Sequence, residues 1–460
     1  MFGFANFLLL ALFAAAVFDL IFALARGGGL RGALHGLWNT PHLLFGQQLA
    51  EWRLQLGRIL FAAGLAAYEI SVVFCNSMAR QNWAWVQGVM SPVLEWLAFL
   101  CFGAKILFGT RYTWRELLAG GALYFIARWV YFNSQNIWWI GIVVAVLAAK
   151  DVPLRRPLQV YFASGCAAMA VVLALHFAGI VAPDLTSERM GALRGTYGYG
   201  HPNTFGGLVF GLVLAYALLR AQKVRWVDCL LVFAVGVFLL VGPASRSAAL
   251  CTLALAVGLV FCRLRAGHSV PRWWPGTCAG MVGLTAAVSY LLPLLVIKVG
   301  PWNNDIGPAW LAKLDSLLTC RISLTWMAYR LLDVKIAGQV FNWPTVDNSF
   351  AFALFQFGPV VAALLGILFA AALLGHAKQG GPILATVIFK HDPIVPVVFF
   401  LGDLGNRVAA QRQVAHHIVQ IGGIKIFCVG TKNRELISAH GCHVRPIAAI
   451  PVKIPGAYRR

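Results

Sequence analysis

Arg246 lies between two serines in Gly242-Pro243-Ala244-Ser245-Arg246-Ser247, Arg321 follows Cys320, and Asp347-Asn348-Ser349 opens an apolar run. Upstream, Arg194 begins the stretch Arg194-Gly195-Thr196-Tyr197-Gly198-Tyr199-Gly200-His201-Pro202-Asn203. Planar guanidinium forks match the oxygens of a phosphate or diphosphate. A carboxylate or imidazole within reach of a hydroxyl can take its proton as that oxygen attacks. These residue types therefore suit a transfer in which a phosphate-bearing group leaves and a hydroxyl enters. Asp347 and His201 are the candidate catalytic residues. Arg194, Tyr199, Asn203, Arg246, Arg321 and Asn348 are the candidate substrate contacts.

Each has a plainer reading beside it. Arg246 can extend to phospholipid head groups, and Asp347 can cap the helix it opens. A glycine-rich turn leading into a helix accounts equally well for the loop around His201, taken alone. There, alternating glycines free the backbone to turn. The proline after His201 pushes that residue to extended geometry, and Pro202 suits a first helical turn.

The elements that hold these residues follow from composition. The chain has 460 residues, of which 60% are hydrophobic and only 12% charged. Repeated runs of about 17–25 apolar residues match the hydrocarbon thickness of a bilayer. The expected fold is therefore all-α, a polytopic bundle of about eleven spans. The predicted spans are Phe2–Ala25, Gly57–Phe74, Val89–Leu107, Glu116–Phe132, Ile137–Ala149 and Leu158–Ala182, then Asn203–Leu219, Val227–Gly242, Ala248–Cys262, Thr277–Val296 and Ser349–Leu374. The first reads as an anchor, since no basic segment or clean cleavage signal accompanies it. Ten cysteines without paired spacing read as small hydrophobes, neither disulfides nor zinc ligands.

The formal net charge is +21. Its basic residues form short clusters between spans, which is a topology signal and excludes a nucleic-acid surface. With the N-terminus outside, clusters such as Lys150, Arg155 and Arg156, or Arg220, Lys223 and Arg225, fall in the cytoplasm. Loops 183–202, 242–247 and 299–348 then face outward, the last being large and lying between the final two spans. Arg189, Arg194, Arg246, Arg321 and Arg330 remain outside against the charge rule, which makes them candidates for function. Within the long loop, Leu311, Leu314, Leu318, Ile322, Trp326 and Leu331 predict one amphipathic helix over Ala309–Asp333. The membrane domain is expected to span 1–375. Residues 376–460 read as a basic, histidine-bearing cytoplasmic tail without chemistry.

The order of these motifs, from Gly200-His201-Pro202-Asn203 through Ser245-Arg246-Ser247 and Cys320-Arg321 to Asp347-Asn348-Ser349, resembles the Wzy-type polysaccharide polymerases. These belong to a superfamily that includes the O-antigen ligases. The resemblance covers roughly Tyr161 to Gly375. It departs at Cys320, where the family usually has glycine, and at Asp347, where ligases carry a histidine. Ten residues separate Asp347 from Gly358, as the family spacing requires.

The resemblance implies a bacterial cell-membrane enzyme that polymerises undecaprenyl-diphosphate-linked oligosaccharides by inverting glycosyl transfer at the outer face. Arg246 and Arg321 would grip the diphosphate and Asp347 would be the base. Tyr197 and Tyr199 are expected to offer stacking faces to sugar. No metal or other cofactor is implied, since the external loops hold neither a DxD-like pair nor HExxH. Expected partners are the lipid-linked sugar, membrane lipids, and the chain-length regulator and flippase of the same pathway. Two alternatives stay open: ligase-type transfer to another acceptor, and a transporter of lipid-linked sugars. The second predicts ionisable residues buried mid-span, for which Glu69, Glu95 and Arg128 are the candidates.

Overall fold

Backbone polar groups in hydrocarbon must be satisfied within the chain, so apolar runs of this length become helices. In the computed structural model they do. It describes residues 2–25, 29–39, 42–43, 51–135, 138–181, 187–189, 192–264, 274–296, 307–318, 320–340, 349–377, 416–421 and 424–429. The helices run α1 (Phe2–Ala25), α2 (Leu30–Asn39), α3 (Glu51–Cys75), α4 (Ala79–Asn82), α5 (Ser91–Phe108), α6 (Trp114–Ser134), α7 (Trp138–Ala149) and α8 (Arg155–Phe177). They continue with α9 (Pro202–Arg220), α10 (Trp226–Val241), α11 (Arg246–Leu264), α12 (Trp274–Leu291), α13 (Ala309–Leu317), α14 (Arg321–Leu331) and α15 (Ser349–Ala377).

Among the described residues six helices are long and apolar enough to cross a membrane: Asn6–Ala25, Glu51–Cys75, Val86–Phe108, Arg155–Phe177, Pro202–Arg220 and Arg246–Leu264. The apolar helices Trp139–Ala149, Trp226–Val241, Ala286–Leu295 and Ala351–Leu364 are shorter. Large side chains point outward along them, with Phe13 70% and Val227 71% exposed. Water would penalise such a surface and lipid does not. The chain is a helical membrane protein.

Strands are brief. Among the described residues they form three antiparallel pairs: His42–Leu43 with Arg111–Tyr112, Ser187–Arg189 with Ala192–Arg194, and His416–Ile421 with Ile424–Val429. The last belongs to a separate unit, Val414–Arg460. It gives part of the tail a hairpin that composition does not predict.

The main core packs α3 against α5 and α8, and α8 against α9, around Phe61, Val72, Phe102, Val172 and Phe205. Local chemistry sets several ends. Thr113 and Glu116 form a reciprocal capping box, so α6 starts at Trp114, two residues before its predicted span. α8 stops at Phe177, short of the predicted Ala182, where Gly179 takes φ +70°.

The expected single helix over Ala309–Asp333 is two. α13 ends at Leu317, Cys320 sits at φ +61°, and α14 begins at Arg321. The buried Asp315 carboxylate causes the break, accepting from Ile322 N at 2.8 Å, Ser323 N at 3.2 Å and Ser323 Oγ at 2.8 Å. Those bonds satisfy the first amides of a new helix in place of continuing the old one. Leu311 and Ile322 are buried, whereas Leu318 and Leu331 are exposed, so the predicted stripe turns inward only in part.

α15 breaks at Gly358, which adopts φ +85° before Pro359. Residues 336–338 cross the break so closely that a Cβ on Gly338 would stand 2.1 Å from the Gln356 carbonyl oxygen. Gly338 itself has φ +74°. Gly338→Ala is expected to lower stability by at least about 2 kcal/mol, through backbone strain plus collision. Thermal unfolding in detergent measures it; an unchanged midpoint would mean the crossing can open without penalty.

Candidate functional site

Two loops and a helix meet at one end of the bundle. The first is the glycine-rich stretch. Tyr197 and Gly198 turn the chain at φ +51° and +81°, and Met78 N then donates to Gly198 O at 2.8 Å. Tyr199 pairs with Ser77 as an isolated bridge, which ties the loop to the end of α3. His201 is extended, at φ −156° and ψ 141°, and Pro202 opens α9, as the local sequence predicts.

The His201 side chain does a second job. Its Nδ1 accepts from Asn203 N at 3.1 Å, capping α9. An imidazole that accepts at Nδ1 carries its proton on Nε2 when neutral. That form donates from Nε2 and has no basic nitrogen to offer there. His201 Nδ1 is thus taken up by the cap of α9.

The second is the loop Gly242–Ser245, between α10 and α11, with the first residues of α11. Arg194 is buried, and it donates from Nε to Pro243 O at 3.3 Å and from Nη2 to Ala244 O at 3.1 Å. The same Nη2 reaches Asn203 Oδ1 at 3.0 Å, where Ser245 Oγ also donates at 3.3 Å. Arg194, expected as a substrate contact, thus ties the two loops together from a buried position. The loops can approach because residue 206 is glycine: a Cβ there would stand 2.4 Å from Ser245 Oγ.

The third element is α14. Arg321 Nη2 donates to Ser247 Oγ at 3.0 Å, joining residues 74 positions apart. Its Nε is buried and has no hydrogen-bond partner among the described residues. Arg246, beside Ser247, is exposed at the first position of α11. Arg321 thus reaches, through Ser247, the start of α11, which carries Arg246 and the partial positive charge of a helix N-terminus. Arg330 lies one helix length away and stacks on Trp326, 5.4 Å from its ring centroid.

Cys320 explains a departure noted in the sequence. Its left-handed φ of +61° is a backbone state glycine adopts without penalty, so the glycine usual in the resembled family has a steric reason here. Cys320→Gly is expected to raise stability by up to about 1 kcal/mol, since a left-handed L-residue costs about 1–2 kcal/mol and glycine returns part of that as chain entropy. A lowered thermal midpoint would mean that the thiol makes packing contacts worth more than the strain.

The expected stacking faces fare differently. Tyr199 is fully buried against Phe205, with ring centroids 5.6 Å apart, so its ring is packing and presents no face to a ligand. Burial, with the Glu69 charge adding to it, holds its phenol well above the usual tyrosine range. Tyr197 is half-buried and wedged between Phe205 and Phe238 at 4.9 and 5.7 Å. Asp347 and Asn348 lie outside the described residues; α15 begins directly after them, at Ser349.

Sequence reasoning missed Asp315, whose partners lie seven and eight residues ahead, beyond any local capping pattern. It also missed the part Ser245 and Gly206 play in closing the loops; only their small size hinted at it. No family model, curated protein or solved structure matches this chain.

Proposed function

We propose that the chain is a bacterial cell-membrane glycosyltransferase of about eleven spans that polymerises undecaprenyl-diphosphate-linked oligosaccharide repeat units at the external face. What supports the reading best is Arg321, anchored at 3.0 Å to Ser247 at the start of α11, next in sequence to Arg246, with a buried Nε that has no hydrogen-bond partner among the described residues. A diphosphate would supply the acceptor oxygens such a cluster is built to meet.

In this reading an acceptor sugar hydroxyl loses its proton to Asp347 and attacks the anomeric carbon of the donor. The bond from that carbon to the diphosphate oxygen breaks on the opposite side, so configuration inverts. Negative charge grows on the departing diphosphate, where Arg246, Arg321 and the α11 terminus receive it. His201 donates from Nε2 to orient the acceptor, and the Arg194–Asn203–Ser245 network holds the loops in place. Metal-independent transfer follows from the same arrangement, with guanidinium charge in the role a cation would otherwise take.

Ligase-type transfer differs only in its acceptor. The transporter reading draws on Glu69, a carboxylate buried inside α3. Purified full-length protein supplied with lipid-linked repeat units separates the three. A ladder of products supports polymerisation, a single addition to a foreign acceptor supports ligation, and no new glycosidic bond overturns both.

A further inference from the structure

A cavity of about 1250 Å³ lies at the other end of the bundle. Helix directions place it. Glu51 at the start of α3, Arg155 at the start of α8 and Arg220 at the end of α9 all line it. The opposite ends of α3 and α9 carry the Ser77 bridge and His201 described above. The 19 residues of α9 put about 28 Å between the two sites. That is the span of a hydrocarbon core.

Six basic side chains, Arg58, Arg111, Lys150, Arg155, Arg220 and Lys223, line the cavity against three acidic ones, Glu51, Glu116 and Asp151. Lys150 pairs with Glu116, and Arg220 pairs with Asp228 at 3.2 Å. Those pairs leave Arg58, Arg111, Arg155 and Lys223 outside them. Arg58 Nε is buried without a hydrogen-bond partner among the described residues. Lys105, fully buried nearby, donates to Thr110 Oγ1 at 3.0 Å and to Lys150 O at 2.6 Å and does not line the cavity. The remaining wall is apolar, with Leu123, Val143, Val146 and Leu147 among its residues.

A soluble phosphate would have no use for that wall. An amphiphile would use both parts. Basic pockets between membrane helices hold anionic head groups in this way, with acyl chain against the apolar side. We infer that this cavity binds the phosphate head group of an anionic phospholipid, in the leaflet opposite the candidate site. The inference stands apart from the proposed glycosyl transfer, since it uses none of those residues.

The test uses purified full-length protein in nanodiscs of phosphatidylglycerol or phosphatidylcholine, followed by native mass spectrometry. About one phosphatidylglycerol per chain is expected to survive removal of bulk lipid, with phosphatidylcholine lost. Arg58→Gln with Arg111→Gln should reduce retention about tenfold or more, as loss of charge-assisted phosphate bonds implies. Arg155→Gln with Lys223→Gln, at exposed positions that leave folding intact, should also reduce it, by severalfold. Arg263→Gln, an exposed arginine outside the cavity, should not.

Two results would overturn the assignment. One is equal retention of both lipids, or retention unchanged in both double variants. The other is inorganic phosphate protecting the protein against thermal unfolding while no lipid is retained, which would make the occupant a soluble anion.

Discussion

Arg321→Ala is expected to cut polymer formation by about 10²–10³-fold while the protein remains inserted and folded, which is the usual loss when one preorganised donor to developing charge is removed. The geometry gives the reason. Arg321 reaches Ser247 through Nη2 alone, and the buried Nε has no partner among the described residues. Arg246→Ala should fall in the same range, since Arg246 is exposed at the start of α11 beside that serine. Arg→Lys at either site should rescue poorly, because a point charge cannot reproduce a planar fork. The check is the rate of glycosidic bond formation, paired with a thermal melt. Normal product from Arg321→Ala would reduce the arginine to a tie between α14 and the start of α11.

Asp347→Asn is expected to lower the rate by about 10²–10⁴-fold, the loss typical of a positioned base. Asparagine keeps much of the helix-capping ability of aspartate but takes no proton at neutral pH. Stability should therefore change little. His201→Ala should behave otherwise. It removes the acceptor for Asn203 N, so it costs about 0.5–2 kcal/mol of stability together with the orienting donor. A fully active Asp347→Asn alongside an inactive, well-folded His201→Ala would reverse the two roles.

What the residues disclose ahead of the structure depends on how local the cause is. His201-Pro202 dictates an extended residue and a helix start from two neighbours, and both are found. The apolar runs dictate helices for the same reason, because their backbone groups bond within each run. Causes that cross the chain are not legible. Asp315 divides the expected Ala309–Asp333 helix by reaching forward to Ile322 and Ser323, a pairing that no apolar stripe reveals. Arg194 looks like an available cation until its contacts to Pro243 and Ala244, 49 and 50 residues away, are known. Tyr199 looks like a stacking face until the Ser77 bridge carries it inside. Arg246 and Arg321 stand in the sequence as charges 75 residues apart, and the bond from Arg321 to Ser247 is the part that only folding supplies.

The most direct measurement counts undecaprenyl diphosphate released per glycosidic bond formed, using proteoliposomes of purified protein and lipid-linked repeat units with a chelator present. One diphosphate lipid per bond, unaffected by the chelator, is the predicted result. Movement of the lipid-linked sugar across the bilayer with no bond formed and no diphosphate lipid released would contradict it.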